Sequence, residues 1–149
     1  MVVFGGEMGV LRYAELDVFI GTTDCCGGYV GDWSKEAWGT DEAADWFGRY
    51  WNGGGMAWVL QTLHDFQPET EQYESVRAAC MVLGCFGSAY AWPSAHLEER
   101  MPALQQAITL LTQMLNPPDD AWGFLDMWNH DEAVVKSVER QIALLNQHI

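Results

Sequence analysis

Positive charge is what this sequence has least of. Its 149 residues hold 7 Lys and Arg against 21 Asp and Glu, a formal charge of −14. No basic stripe is present to neutralise phosphates, which argues against direct nucleic-acid binding. The same field repels an anionic membrane surface and speeds encounter with basic partners. The excess is uneven, with 13 acids and 3 bases in residues 1–74 but 8 and 4 in residues 75–149. An acidic surface also serves plain solubility, so charge alone names no partner.

Neither a leader nor a membrane span is expected. The opening MVVFGGEMGVLRYAELDVFIG has no basic region before its apolar residues, and acids interrupt it. The uncharged run from Ala78 to Ala95 reaches spanning length, but Gly84, Gly87, Ser88, Pro93 and Ser94 suit a buried core helix better. The four cysteines, Cys25, Cys26, Cys80 and Cys85, begin with a vicinal pair, a poor start for a disulfide framework. The expectation is a reduced cytoplasmic protein with no membrane partner.

Motifs for metal binding and catalysis are missing in turn. Cys80 and Cys85 would stand about 140° apart on a helix, and no C-x-x-C accompanies them. Small buried hydrophobes are the better reading. His64, His96, His130 and His148 form no H-x-x-x-H pair, and the adjacent His64–Asp65 and His130–Asp131 read as helix-end contacts. Ser34, Ser75, Ser88, Ser94 and Ser137 lack any G-x-S-x-G context. The glycines at Gly53–Gly55 precede a helix, as a phosphate cradle would, but without the P-loop lysine they read as a helix breaker. No catalytic residue, metal or cofactor is expected.

Apolar residues and indoles are abundant instead: 49% hydrophobic content and 8 Trp suit a globular, aromatic-heavy core. The length fits one domain able to bury roughly two-thirds of its unfolded surface. Residues 1–37 are glycine-rich, and VLRYAELDVFIG within them reads as a strand or hairpin or as a short helix. Residues 38–149 read as helices. A first is capped by Thr40 or Asp41 and stopped by the NGGG at Asn52–Gly55. A second carries Met56, Val59, Leu60 and Leu63, and a third starts near Glu69 with Tyr73, Val76, Cys80, Leu83 and Gly84. After the linker WPSAHLEERMP, with Pro102 in the next first turn, comes the stripe Leu104, Ala107, Ile108, Leu111 and Leu115. A short helix at AWGFLDMW follows. A last helix from about Asp131 carries Val135, Val138, Ile142 and Leu145, and Asn129-x-x-Glu132 resembles a capping box. The sum is a mainly α, compact single-domain bundle of five or six helices with an irregular or β-containing N-terminal segment.

One stretch stands apart. WGTDEAADWFGRYW, Trp38 to Trp51, places three acids and four Trp or Tyr rings in fourteen residues. Asp41 and Asp45 are four apart and share a helix face, as do Trp46 and Tyr50. A divalent-ion or acid/base pair would need further ligands at helical spacing, which are lacking. Acids at a helix start are stabilised by its dipole. Any role beyond that points to docking, with Trp38, Asp41, Glu42, Asp45 and Trp51 as the partner-binding candidates and Trp46 in the core.

AWGTDEAADW resembles the signature of an uncharacterised, mostly bacterial family, domain of unknown function 4259. Its members open with Gly-Ala-Trp-Gly and then Asn-Asp-x-Ala-x-Asp-Trp, matched here by Trp38 and Gly39 and by Asp41, Ala43, Asp45 and Trp46. RAACMVLG is similar to the family's alanine-rich middle helix, and Asp126, Met127 and Trp128 to its Glu-Leu-Trp element. The resemblance spans about Glu36 to Asn146. It departs where the Phe-Asp-Asn spacer is missing and where an extra segment precedes it. It implies a helical domain and no established catalytic residues. By analogy with small acidic bacterial immunity proteins, the expected function is non-enzymatic binding and neutralisation of a basic toxin or effector. A hydrolase or metal-dependent enzyme using the Asp41/Asp45 face, or a scaffold protein, are the alternatives.

Overall fold

A computed structural model describes residues 33–149 of the chain. The readings of VLRYAELDVFIG and of the Cys25–Cys26 pair lie outside the described residues. Within them, 71% of residues are helical, the π and 3-10 turns included, and none forms a strand, well above the ~30–35% α-helix of an average globular protein. The architecture is the expected helical bundle. Five helices carry it: α1 (Asp41–Arg49), α2 (Gly55–Asp65), α3 (Tyr73–Phe86), α4 (Arg100–Leu115) and, after the four-residue α5 (Phe124–Met127), α6 (Glu132–Asn146).

Local chemistry sets the boundaries. The Thr40 side chain accepts the Ala43 N–H at 3.2 Å and starts α1, with Asp41 and Glu42 in the first turn. The glycine run stops it as expected, through a five-residue π turn, Tyr50–Gly54. Gly53 (φ 108°) and Gly55 (φ 52°) adopt left-handed angles that L side chains resist, so the chain turns at once into α2.

Four expectations need correction. The third helix starts at Tyr73 and not near Glu69, because Pro68–Thr70 forms a single 3-10 turn and Glu71 (φ 54°) breaks the path. The segment before α4 also contains a 3-10 stretch, Ser94–Glu99. On α4 the buried stripe is Ala103, Leu104, Ala107, Leu111 and Met114, so Ile108 and Leu115 fall to its half-buried flank. The last helix is capped by Asp131, whose carboxylate accepts the Ala133 N–H at 2.8 Å. Asn129 (φ 49°) lies in a left-handed turn outside that helix and forms no capping box.

Helix α3 is the hub. It packs against α1, α2, α4 and α6, and ten of its fourteen residues are buried, as befits a helix covered on nearly all sides. A Cβ on Gly84 would come within 2.6 Å of the Leu144 side chain, so the missing side chain lets α6 approach closely. The uncharged run expected to form a core helix does so only to Phe86, where Gly87 ends it. Among the described residues no helix is long and apolar enough to cross a membrane.

Candidate functional site

The acids and rings of the Trp38–Trp51 stretch separate onto two sides of α1. Asp41 and Asp45 are exposed, as are Ala44 and Arg49 of the same helix. Trp46 is 3% exposed and points the other way. Its ring stacks on Tyr50 (centroids 5.8 Å apart, planes 13°) and faces Trp58 at 6.4 Å. Its indole N–H donates to the Thr62 hydroxyl at 2.8 Å. The other two indoles of the stretch face solvent: Trp38 is 49% exposed just before α1, and Trp51 is 73% exposed just after it. They flank α1, whose nine residues rise about 13 Å.

Glu42 behaves differently from its two acidic neighbours. Its carboxylate turns toward α3 and accepts both the Ser75 backbone N–H (2.8 Å) and the Ser75 hydroxyl (2.6 Å). Ser75 lies in the first turn of α3, where backbone N–H groups have no helical partner. Glu42 therefore caps α3 from a distance, and of the three acids only Asp41 and Asp45 present free carboxylates outward.

Trp38 rides on a tight loop. The N–H groups of Trp33 and Ser34 donate to the Gly39 carbonyl at 2.7 and 3.1 Å, and Gly39 donates to Glu36 at 3.0 Å. A Cβ on Gly39 would lie 2.2 Å from the Ser34 carbonyl oxygen, so this close approach requires glycine. The loop is fastened from below by Arg77, which donates to the Lys35 carbonyl at 2.8 Å. Glu36 receives the Ser137 hydroxyl at 2.9 Å and pairs with Arg140. The Lys35 ammonium sits 4.4 Å from the Trp128 ring centroid.

Arg77 and its partners form the centre that the sequence reading missed. The residue is fully buried, yet bonded throughout: to both Glu74 carboxylate oxygens at 3.0 Å, to the Ser137 hydroxyl at 3.0 Å and to the Gln141 amide oxygen at 3.4 Å. Trp128 adds an N–H to Glu74 at 3.1 Å. Burial pushes the Glu74 carboxyl above its ordinary value, against the pull of Arg77 and of the indole N–H. A signal was available: Arg77 falls in the middle of the Tyr73, Val76, Cys80, Leu83, Gly84 stripe, where a charge needs a buried partner.

Beside the acidic face, α1, α2 and α3 enclose a cleft of about 210 Å³. Trp46 and Arg49 contribute from α1, while Trp58, Gln61, Thr62 and Asp65 recur along one face of α2. Phe66, Gln72, Ser75 and Val76 complete the lining. The Arg49 guanidinium lies over the Trp58 ring, 5.5 Å from its centroid. The Trp58 indole N–H is buried without an acceptor, a shortfall of about 1–3 kcal/mol for such a group. Asp65 accepts from the His64 ring at 2.7 Å and the Gln61 amide at 3.3 Å, and these donors hold its carboxyl below the usual range.

The remaining candidates disperse. His64 contacts Asp65 as expected, but His130 meets Asp126 at 3.1 Å and not its neighbour Asp131. Cys80 is buried, and burial drives its thiol far upward. Cys85 is exposed, which corrects the reading of both as buried hydrophobes. Among the described residues no group of three or more potential metal ligands converges. No family model, curated protein or solved structure matches the chain, so the site is read from its own geometry.

Proposed function

We propose that this chain is a non-enzymatic acidic binding protein, cytoplasmic and of immunity type, that docks and neutralises a basic toxin or effector through the outer face of α1. One observation carries the reading. Asp41 and Asp45 present free carboxylates between two solvent-facing indoles, Trp38 and Trp51, while Trp46 of the same stretch packs inward. Exposed indoles bring large contact area with little side-chain entropy to lose, and carboxylates around them steer a basic partner. The resemblance to family 4259 is part of the same proposal. In that motif Ala43 and Trp46 serve the core, whereas Asp41 and Asp45 are free for contact.

The test is surface plasmon resonance against the product of the adjacent gene at two salt concentrations. Asp41→Asn with Asp45→Asn should slow association at low salt, and the difference should shrink at high salt. Association as fast as wild type at low salt would remove this face from the interface.

A further inference from the structure

We infer that the outer side of α4 is the interface of a homodimer, in which this helix packs antiparallel against α4 of a second copy. Charge is the first observation. Residues 78–118 hold three charged side chains, Glu98, Glu99 and Arg100, whereas the whole chain has 28 (21 acids and 7 bases). After Arg100, α4 carries none at all, although a surface helix ordinarily keeps charged residues on its solvent side. Arg100 is already engaged within the chain, donating to the Gly87 and His148 carbonyls at 2.7 and 2.6 Å.

Spacing is the second observation. Met101, Gln105, Ile108, Thr112 and Leu115 recur at intervals of 4, 3, 4 and 3, the period of a seam between two helices. None of the five belongs to the buried face, which is Ala103, Leu104, Ala107, Leu111 and Met114. Met101, Gln105 and Thr112 are exposed, and Ile108 and Leu115 are half-buried at the edge of the core. A second stripe therefore runs along α4 beside the one that packs on the bundle. The Thr112 hydroxyl donates back to the Ile108 carbonyl at 2.7 Å, so covering it strands no donor.

The order of residues selects a second copy over an unrelated partner. About Ile108 the stripe reads alike in both directions: apolar, polar, apolar, polar, apolar. A two-fold axis beside Ile108 sets Met101 against Leu115 and Gln105 against Thr112 of the other chain, so like meets like along the seam. The Gln105 amide can then donate to the opposing Thr112 oxygen, which keeps a lone pair. Two chains of charge −14 repel each other, and a side without charges is where they meet at least electrostatic cost. Two heptads make a short seam, so the dimer belongs to the small, weak class of interfaces. It uses a different helix from the α1 docking face and does not rest on that reading.

Sedimentation equilibrium of the full chain, at concentrations up to about 1 mM, is the test. The average mass should rise with concentration from 16.7 kDa toward twice that value. Salt should favour the dimer by screening the repulsion, the opposite of its effect on a basic partner. Gln105→Glu with Thr112→Glu sets acid against acid across the seam and should weaken the dimer at least tenfold, with circular dichroism unchanged. Gln105→Lys with Thr112→Lys should weaken it too, yet an equimolar mixture of the two variants should dimerise at least as well as wild type, which no folding defect could produce. In wild-type protein, the amide NMR signals that shift on dilution should fall within residues 101–116. A mass fixed at 16.7 kDa would assign the face to another occupant and overturn the proposal. So would dimers that survive the Glu pair, variants that stay monomeric on mixing, or dilution shifts confined to other helices.

Discussion

The Glu42 carboxylate on α1 accepts two hydrogen bonds from Ser75, 33 residues later, at 2.8 and 2.6 Å. The contact joins the first turns of α1 and α3, and it divides a cluster of three acids into one that holds the fold together and two that face water. Glu42→Ala should lower stability by about 1–2 kcal/mol, the usual effect of losing a helix cap. Asp41→Asn and Asp45→Asn should each stay within about 0.5 kcal/mol, as exposed substitutions do. Urea unfolding of the three single variants checks this. Equal effects at all three positions would mean that Ser75 finds its acceptors elsewhere.

The buried pair Arg77–Glu74 makes a sharper case. Arg77→Met leaves Glu74 in the core without its counter-charge and strips a donor from Lys35, Ser137 and Gln141. Breaking such a pair typically costs about 3–5 kcal/mol. Adding Glu74→Leu should recover about half of the loss, because the stranded charge is gone while the Lys35 carbonyl still lacks its donor. The sign with pH follows from the raised carboxyl. A group whose folded-state pKa lies above its unfolded value stabilises fully below the unfolded value, and that contribution is lost as pH rises through the folded value. Arg77→Met removes the main opposing pull, so its deficit should grow between acid and neutral pH. Denaturant midpoints measured from pH 4 to 7 read this directly; a deficit that shrinks over that range contradicts it.

Much of the fold was legible because its signals are local. Thr40 before the Asp41–Glu42 pair, glycines after Asn52 and Pro102 in a first turn are start and stop signs that act within a turn or two, whereas the cap of α6 was misplaced from Asp131 to Asn129. Trp46 and Tyr50 were correctly paired by helical spacing alone. What escaped depended on contacts distant in sequence. Arg77 looked like one residue of an alanine-rich helix, yet its partners stand 42 to 64 residues away apart from Glu74. Glu42 could not be told from Asp41 without knowing where α3 begins. Arg49 and Trp58 come from helices whose approach depends on the glycine turn between them, so their contact and the cleft were invisible to periodicity.

Asp65 offers a second pH-dependent test. Its carboxyl lies below the ordinary value chiefly because the His64 ring donates to it, with Gln61 next. A depressed folded pKa gives stability that is present above the unfolded value and lost as pH falls through the folded one. The window therefore lies on the acid side of an ordinary aspartate. His64→Ala should move the Asp65 carboxyl back toward its usual range, as followed by carbonyl ¹³C chemical shifts between pH 2 and 6. No movement would show that Gln61 alone sets the value.

The three indoles of the Trp38–Trp51 stretch should separate completely when fold and binding are measured side by side. Trp46 is enclosed by Phe47, Tyr50 and Trp58 and anchored through Thr62. Trp46→Ala removes that packing and leaves a cavity, for a loss of about 3–5 kcal/mol. Trp38 and Trp51 stand largely in water, so changing either to Ala should alter stability by less than about 1 kcal/mol. In binding the order reverses, provided the outer face of α1 is the docking surface. A buried anchor ring acts mainly on dissociation, so Trp38→Ala and Trp51→Ala should each speed release from the partner at least fivefold, with association little changed. Unfolding by urea and dissociation phases by plasmon resonance on the same preparations provide both readings. If Trp38→Ala and Trp51→Ala leave both unmoved, the exposed indoles are bystanders, and docking must lie on another face.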